Sequence, residues 1–166
     1  MSEDIQGEQA QEQQSQIRIE RLYLKDSSFE SPGAPSIFTA QWQPQNQVDI
    51  NTTVNSLGDD RHEVVLSATV TSRRDDEHVA FVVEVQYAGI FAIEGVNQQQ
   101  RHQVLGIMCP NTLFPYVRET LDSLVVRGGF PALQMAPINF ERIFAQAMQQ
   151  QAAQQQAEAA DTAVKH

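Results

Sequence analysis

The chain has 166 residues, with 11 lysines and arginines against 21 aspartates and glutamates, a formal charge of −10. That length suits one domain with tails, and the charge disfavours direct binding to phosphate backbones while favouring a cationic partner. A single cysteine, Cys109, excludes a disulfide framework and a zinc site built on cysteine pairs. No apolar run reaches membrane-spanning length, and the acidic, Gln-rich start lacks the basic and apolar regions of a secretory signal. A cytoplasmic protein, without membrane insertion and without a nucleic-acid ligand, is the simplest expectation.

Residues 1–16 contain almost nothing apolar and read as a disordered acidic segment. Residues 17–148 carry the apolar patterning of a folded domain. Residues 149–166 form a Gln/Ala-rich tail, flexible or a solvated helical extension, because Ala and Gln favour helix but bury little.

Within the domain, residues 17–24 alternate as a strand, which Pro32, Gly33 and Pro35 break. Residues 36–42 and 48–50 read as a second extended stretch, interrupted around Pro44. Asp59-Asp60 marks a turn before residues 63–71, where Val64, Leu66, Ala68 and Val70 share one face. The charged run at 73–77 is a hairpin connection to residues 79–87. There Val79, Phe81, Val83, Val85 and Tyr87 take one face, while Ala80, Val82, Glu84 and Gln86 take the other. Four strands with short connections predict an antiparallel sheet with one covered face.

The second half changes period. Residues 98–108 predict a short helix closed by Cys109-Pro110, and Asn111 caps a new one. Leu113, Val117, Thr120, Leu121, Leu124 and Val125 recur at helical spacing up to the stop at Arg127-Gly128-Gly129, with Pro115 near the first turn. Pro137 and an Asn139 cap open a last helix bearing Phe140, Ile143, Phe144, Ala147 and Met148 on one side. Strands followed by helices define an α+β fold.

Catalytic chemistry finds little support. None of His62, His78, His102 and His166 has a metal-ligand neighbour at i+2 to i+4. Cys109 has no nearby basic residue to activate it and reads as a buried structural thiol. No phosphate-cradling loop or nucleophile elbow is present, so neither an enzyme nor a cofactor is expected. Two other features remain. Val82 and Glu84 share the less apolar strand face, and Asp26 and Glu30, following the first strand, are placed to join them. That set reads either as an ordinary solvated face or as an acidic docking patch. Phe38, Trp42, Val48 and Ile50, with Phe114 and Tyr116 around Pro115, are apolar residues on irregular segments. They either cover the edge of the core or line an exposed groove.

Five stretches carry a family likeness: LYLKDSSFESPGAP (22–35), WQP (42–44), YAGIFAIEG (87–95), CPNTLFPYVRE (109–119) and GGFPALQMAPINFE (128–141). In this order and spacing they resemble the SecB export chaperones, from about residue 17 to residue 148. The resemblance implies a four-stranded antiparallel sheet with a long helix and a C-terminal helix. It also implies a homotetramer built as a dimer of dimers, with Leu113, Val117, Leu121 and Leu124 at the oligomer interface.

It further implies an ATP-independent holdase that binds unfolded precursor proteins and delivers them to the SecA ATPase of the Sec translocase. The SecA contact carries over to Asp26, Glu30, Val82 and Glu84. Its partner is the basic, zinc-binding C-terminal segment of SecA, so the zinc belongs to that partner. The client-peptide groove carries over to Phe38, Trp42, Val48 and Ile50, with Phe114, Tyr116 and Ile143 as weaker members. The alternative is a SecB-like chaperone dedicated to one toxin or antitoxin client.

Overall fold

The structure, a computed structural model, describes the backbone of residues 15–164 and the side chains of residues 15–160. Four strands, β1 (Gln16–Glu30), β2 (Gln45–Gly58), β3 (Arg61–Arg73) and β4 (Val79–Glu94), form one antiparallel sheet in the order β1-β4-β3-β2. The helices follow: α1 (Gln98–Gln103), a π turn (Val104–Met108), α2 (Cys109–Arg127) and α3 (Phe140–Val164). This is the expected α+β arrangement.

The sheet has two unlike faces because the strands alternate. Val64, Leu66, Ala68 and Val70 of β3 and Phe81, Val83, Val85, Phe91 and Ile93 of β4 point to the covered face and are almost completely buried. Leu113, Val117, Leu121 and Val125 of α2 lie against them, also fully buried. Expelling water from these apolar surfaces is the main stabilising term, at roughly 25 cal/mol per Å². The opposite face carries Val82, Glu84 and Gln86, and no element formed by the described residues lies over it.

Several stretches differ from the sequence-based expectation. Residues 36–42 are not extended; Ser36–Phe38 form a short 3-10 turn that buries Ile37, and β2 starts only after Pro44. Pro35 and Pro44 have no N–H to give a ladder, so this segment crosses the sheet edge instead of joining it. Strand β4 continues seven residues past Tyr87, to Glu94. The small residues Ala88, Gly89 and Ala92 hid its alternation. Gly89 is required there, because a Cβ would fall 2.6 Å from the Phe91 ring.

The helical path does not stop at Cys109-Pro110. It runs from Gln98 to Arg127 through the π turn, so Asn111 lies inside it and Pro115 sits within α2. In an ordinary α-helix the Pro110 ring would strike the carbonyl of Gly106; the wider π turn loosens the backbone over that stretch. The real helix start is at Asn97, whose side chain accepts from the Gln100 backbone at 2.8 Å while Gln100 returns a bond to the Asn97 N–H at 3.0 Å.

Helix α3 is capped as expected, with Asn139 Oδ1 accepting from the Arg142 N–H at 2.9 Å. It docks through Phe140, which is buried, and Phe144, whose ring occupies the space left by Gly106. Beyond residue 144 the described side chains are exposed, so the Gln/Ala stretch up to residue 160 is a solvated part of α3, whose backbone continues to Val164.

The assignment of Leu113, Val117 and Leu121 to an oligomer interface requires correction. All three are fully buried by the chain's own sheet and offer no surface to a second copy. Leu124 is partly buried and also packs on this core. The amphipathic stripe finds its partner within the chain.

Candidate binding surfaces

Asp26, Glu30, Val82 and Glu84 come together on the open face. In the β1–β4 ladder Asp26 stands across from Gln86, Ser28 from Glu84 and Glu30 from Val82. This grouping depends on a bulge. Strict alternation from Leu22 and Leu24, which align with Gly89 and Tyr87 on the covered side, would turn Asp26 inward. The register shifts between Leu24 and Asp26, so Lys25 is an extra residue. The shift turns Asp26, Ser28 and Glu30 outward and Phe29 inward, onto Phe81. Asp26 and Glu30 therefore lie within β1, not after it.

Charge is distributed unevenly over this face. Toward the end of the sheet near α1, carboxylates are matched by cations: Glu94 with Arg18 at 3.2 Å, Glu20 with Arg61 at 3.5 Å and Glu63 with Lys25 at 2.8 Å. Asp26, Glu30 and Glu84 have no ion pair and no side-chain hydrogen bond among the described residues. Asp49 of β2 lies in the same row as Glu84, across Thr69, and is held only by the Gln47 amide at 3.2 Å. Among the described residues Arg73, at the hairpin end, and Arg21, in the opposite half, have no ion-pair partner. Around Val82 the result is an apolar spot ringed by unneutralised carboxylates and by the hydroxyls of Ser28, Thr69 and Thr71.

Glu63 is the most constrained carboxylate of the face. It accepts from Lys25 Nζ, from Asn55 Nδ2 at 2.9 Å and from the Tyr23 hydroxyl. These bonds to its charged form, Lys25 first, hold its carboxyl at about 2. Burial, and then the bond and charge of Glu63, push the Tyr23 phenol up to about 12.

The groove residues divide between two places. Phe38 and Trp42 join a cluster that sequence reasoning missed in part: Phe130 lies 5.1 Å from Phe38, 5.4 Å from Trp42 and 4.7 Å from Phe81, ring centre to ring centre. A cavity of about 190 Å³ opens beneath, lined by Trp42, Pro44, Phe130 and Leu133 among others. Next to it, Val48 on edge strand β2 faces Leu133, Met135 and Ile138 across a groove of about 430 Å³. Ile50 is partly buried beside the core. The segment from Phe130 to Ile138 thus supplies one wall of the groove. Its GGFPALQMAP sequence, apolar but without period, was the available signal.

The weaker members lie elsewhere. Phe114 is buried, edge-on to Phe140 at 6.1 Å, with the Arg118 guanidinium 5.6 Å from its ring centre. Tyr116 stacks on Tyr87 at 5.2 Å. Ile143 is exposed on α3.

Chemically reactive groups are quiet. Cys109 is buried, which pushes its thiol up to about 12. His62 is buried in the sheet, and His78 sits 2.7 Å from Asp75 in the β3–β4 hairpin. His166 lies outside the described residues. Among the described residues no cluster of three or more His, Cys, Asp or Glu is placed to hold a metal, and no helix is long and apolar enough to cross a membrane.

An open acidic sheet face and an apolar groove along an edge strand define a protein- or peptide-binding scaffold. The sequence comparisons place that scaffold. Residues 10–151 match the family described as preprotein translocase subunit SecB. The protein-export protein SecB of Hahella chejuensis is 51% identical over 85% of this chain and 88% of its own length. That of Pseudomonas fluorescens is 48% identical over 90% of this chain and 93% of its own. This chain belongs to the SecB family of protein-export chaperones. The fold is shared with a SecB-like chaperone of Mycobacterium tuberculosis, solved with a peptide from an antitoxin. That likeness has a TM-score of 0.61 at 14% identity and covers 74% of this chain and 91% of the other.

Proposed function

We propose that this chain is an ATP-independent cytoplasmic holdase that captures unfolded precursor proteins and passes them to the SecA ATPase. The observation that carries the reading is the separation of two unlike surfaces. Uncompensated carboxylates surround Val82 on the open face, and an apolar groove lies between β2 and the 130–138 segment. A basic segment finds its charge complement on the first, and an extended apolar chain finds its burial in the second.

On this reading Asp26, Glu30, Val82 and Glu84 receive the basic, zinc-binding C-terminal segment of SecA, which brings its own metal. Phe38, Trp42, Val48 and Ile50 contact client. Phe114, Tyr116 and Ile143 are peripheral: Phe114 has little surface to offer, whereas Tyr116 and Ile143 are open. The functional unit is a homotetramer, a dimer of dimers, because several weak apolar sites on one assembly raise avidity for a long chain. With Leu113, Val117 and Leu121 spent internally, its contacts must come from other surfaces.

The test is light scattering after size-exclusion chromatography, alone and with a slow-folding precursor diluted from urea without nucleotide. A mass near four chains that takes up the unfolded but not the folded precursor supports the reading. A protein that ignores the unfolded chain overturns it.

A further inference from the structure

Lys25 is the residue that creates the β1 bulge and the cation nearest in sequence to the docking carboxylates. The bulge leaves Lys25 and Asp26 on the same side of the sheet. Yet the ammonium does not rest on Asp26. It reaches across β4 to Glu63 on β3, 2.8 Å away, at the level of Ile90. Glu63 is only 13% exposed and is itself fixed by Tyr23 of β1 and Asn55 of β2, so all four strands frame this one contact. Asp26 faces Gln86, and Glu84 is two residues further along β4, roughly 7–8 Å on the diagonal. A released Lys25 would stand beside these carboxylates and compete for them.

We infer that Glu63 is a positioning residue for the docking face: it holds Lys25 away from Asp26 and Glu84, so that this cation does not neutralise them. The inference rests on the proposed binding of a cationic segment to this face. It explains why a carboxylate so fully hydrogen-bonded lies outside the docking set. It also separates Lys25 from Arg18, whose carboxylate partner Glu94 is ten residues along β4 from Glu84, ~33 Å at strand rise.

The test is calorimetry of the zinc-loaded peptide of the SecA C-terminal segment against the full chain and its variants. Glu63→Gln keeps an oxygen to accept from Asn55 and presents an N–H that the Tyr23 hydroxyl oxygen can accept, but it loses the charge that holds Lys25. Its affinity is expected to fall roughly three- to tenfold at low salt. Adding Lys25→Met to Glu63→Gln is expected to restore it. Glu94→Gln makes the same charge change and releases Arg18 at the far end of the sheet; it is expected to change nothing.

Unchanged affinity in Glu63→Gln overturns the inference. So does failure of Lys25→Met to restore binding, or an equal loss in Glu94→Gln, since either makes the effect structural or a matter of net charge. Unchanged affinity in Glu84→Lys overturns the docking face itself, and this inference with it. Wild-type circular dichroism at the assay temperature, with a cooperative unfolding transition well above it, in Glu63→Gln and in Lys25→Met/Glu63→Gln excludes misfolding as the cause.

Discussion

Glu30 stands directly across from Val82 in the β1–β4 ladder, and it faces outward only because Lys25 is an extra residue in β1. One bulge therefore sets both the acidic ring around Val82 and the inward turn of Phe29 onto Phe81. The docking face and the aromatic edge of the core are two consequences of the same local irregularity.

Reversing charge on that face should uncouple its two activities. Glu84→Lys and Asp26→Lys are expected to weaken binding of the SecA segment at least tenfold, about 1.4 kcal/mol, and to leave capture of unfolded precursor unchanged. Parallel calorimetry with both ligands checks this. Equal affinity for the SecA segment would move the contact off this face.

The groove should respond in the opposite sense. Val48 is 43% exposed, so Val48→Asp should fold. Combined with Met135→Ser on the facing wall, it is expected to remove about 1–2 kcal/mol of client binding and to spare the SecA segment. Fluorescence titration with an unfolded precursor reads the effect. Unaltered client affinity would place the client elsewhere, on Tyr116 or Ile143 first.

Acid should act through Glu63. Its folded value of about 2 is below the ordinary 4.5. Its bonds to Lys25, Tyr23 and Asn55 therefore stabilise the fold fully above pH 4.5, and the contribution fades as pH falls toward 2. The melting temperature of Glu63→Gln is expected to lie below that of the wild type at neutral pH, with the gap closing across this window. A pH-independent gap would assign the loss to packing.

Gly106 should govern how α3 is held. A Cβ there would fall 2.4 Å from the Phe144 ring. Gly106→Ala is expected to cost about 1–3 kcal/mol of packing and to speed hydrogen exchange in residues 140–148 before the sheet. Unchanged protection of that segment would mean Phe144 turns aside at little cost.

Cys109 should report global unfolding. It is buried, with its thiol pushed up to about 12, so alkylation at neutral pH is expected only in denaturant. Rapid labelling of the native protein would show that the helix under the sheet opens locally.

The covered face was legible because it obeys a period. Val64, Leu66, Ala68 and Val70, and Phe81, Val83 and Val85, recur at every second position, with Val65 and Val82 as the apolar residues between them, and the residues from Leu113 to Val125 recur at helical spacing. Such patterns follow from the strand and helix repeats alone. Val82 and Glu84 were placed by the same reasoning, one residue out of phase. Proline and small residues broke the local signal: Pro35 and Pro44 delayed β2, Ala88 and Gly89 concealed the length of β4, and the π turn carried the helix past Pro110.

By itself the sequence determined the fold class, the family, the unreactive Cys109 and the sharp division between an apolar and a charged strand face. The family rests on five stretches that resemble it; the rest depends on composition and period, and all of these are local. The tertiary structure decided what is paired with what. It set Lys25 on Glu63 rather than Asp26, and it buried Leu113, Val117 and Leu121 under the chain's own sheet. It also brought Phe130 and Met135 to the groove from the far side of α2. A bulge, a burial partner and a cross-sheet ion pair each depend on residues distant in sequence. Their free energies arise only when strands and helices close on one another, and no window of the chain contains them.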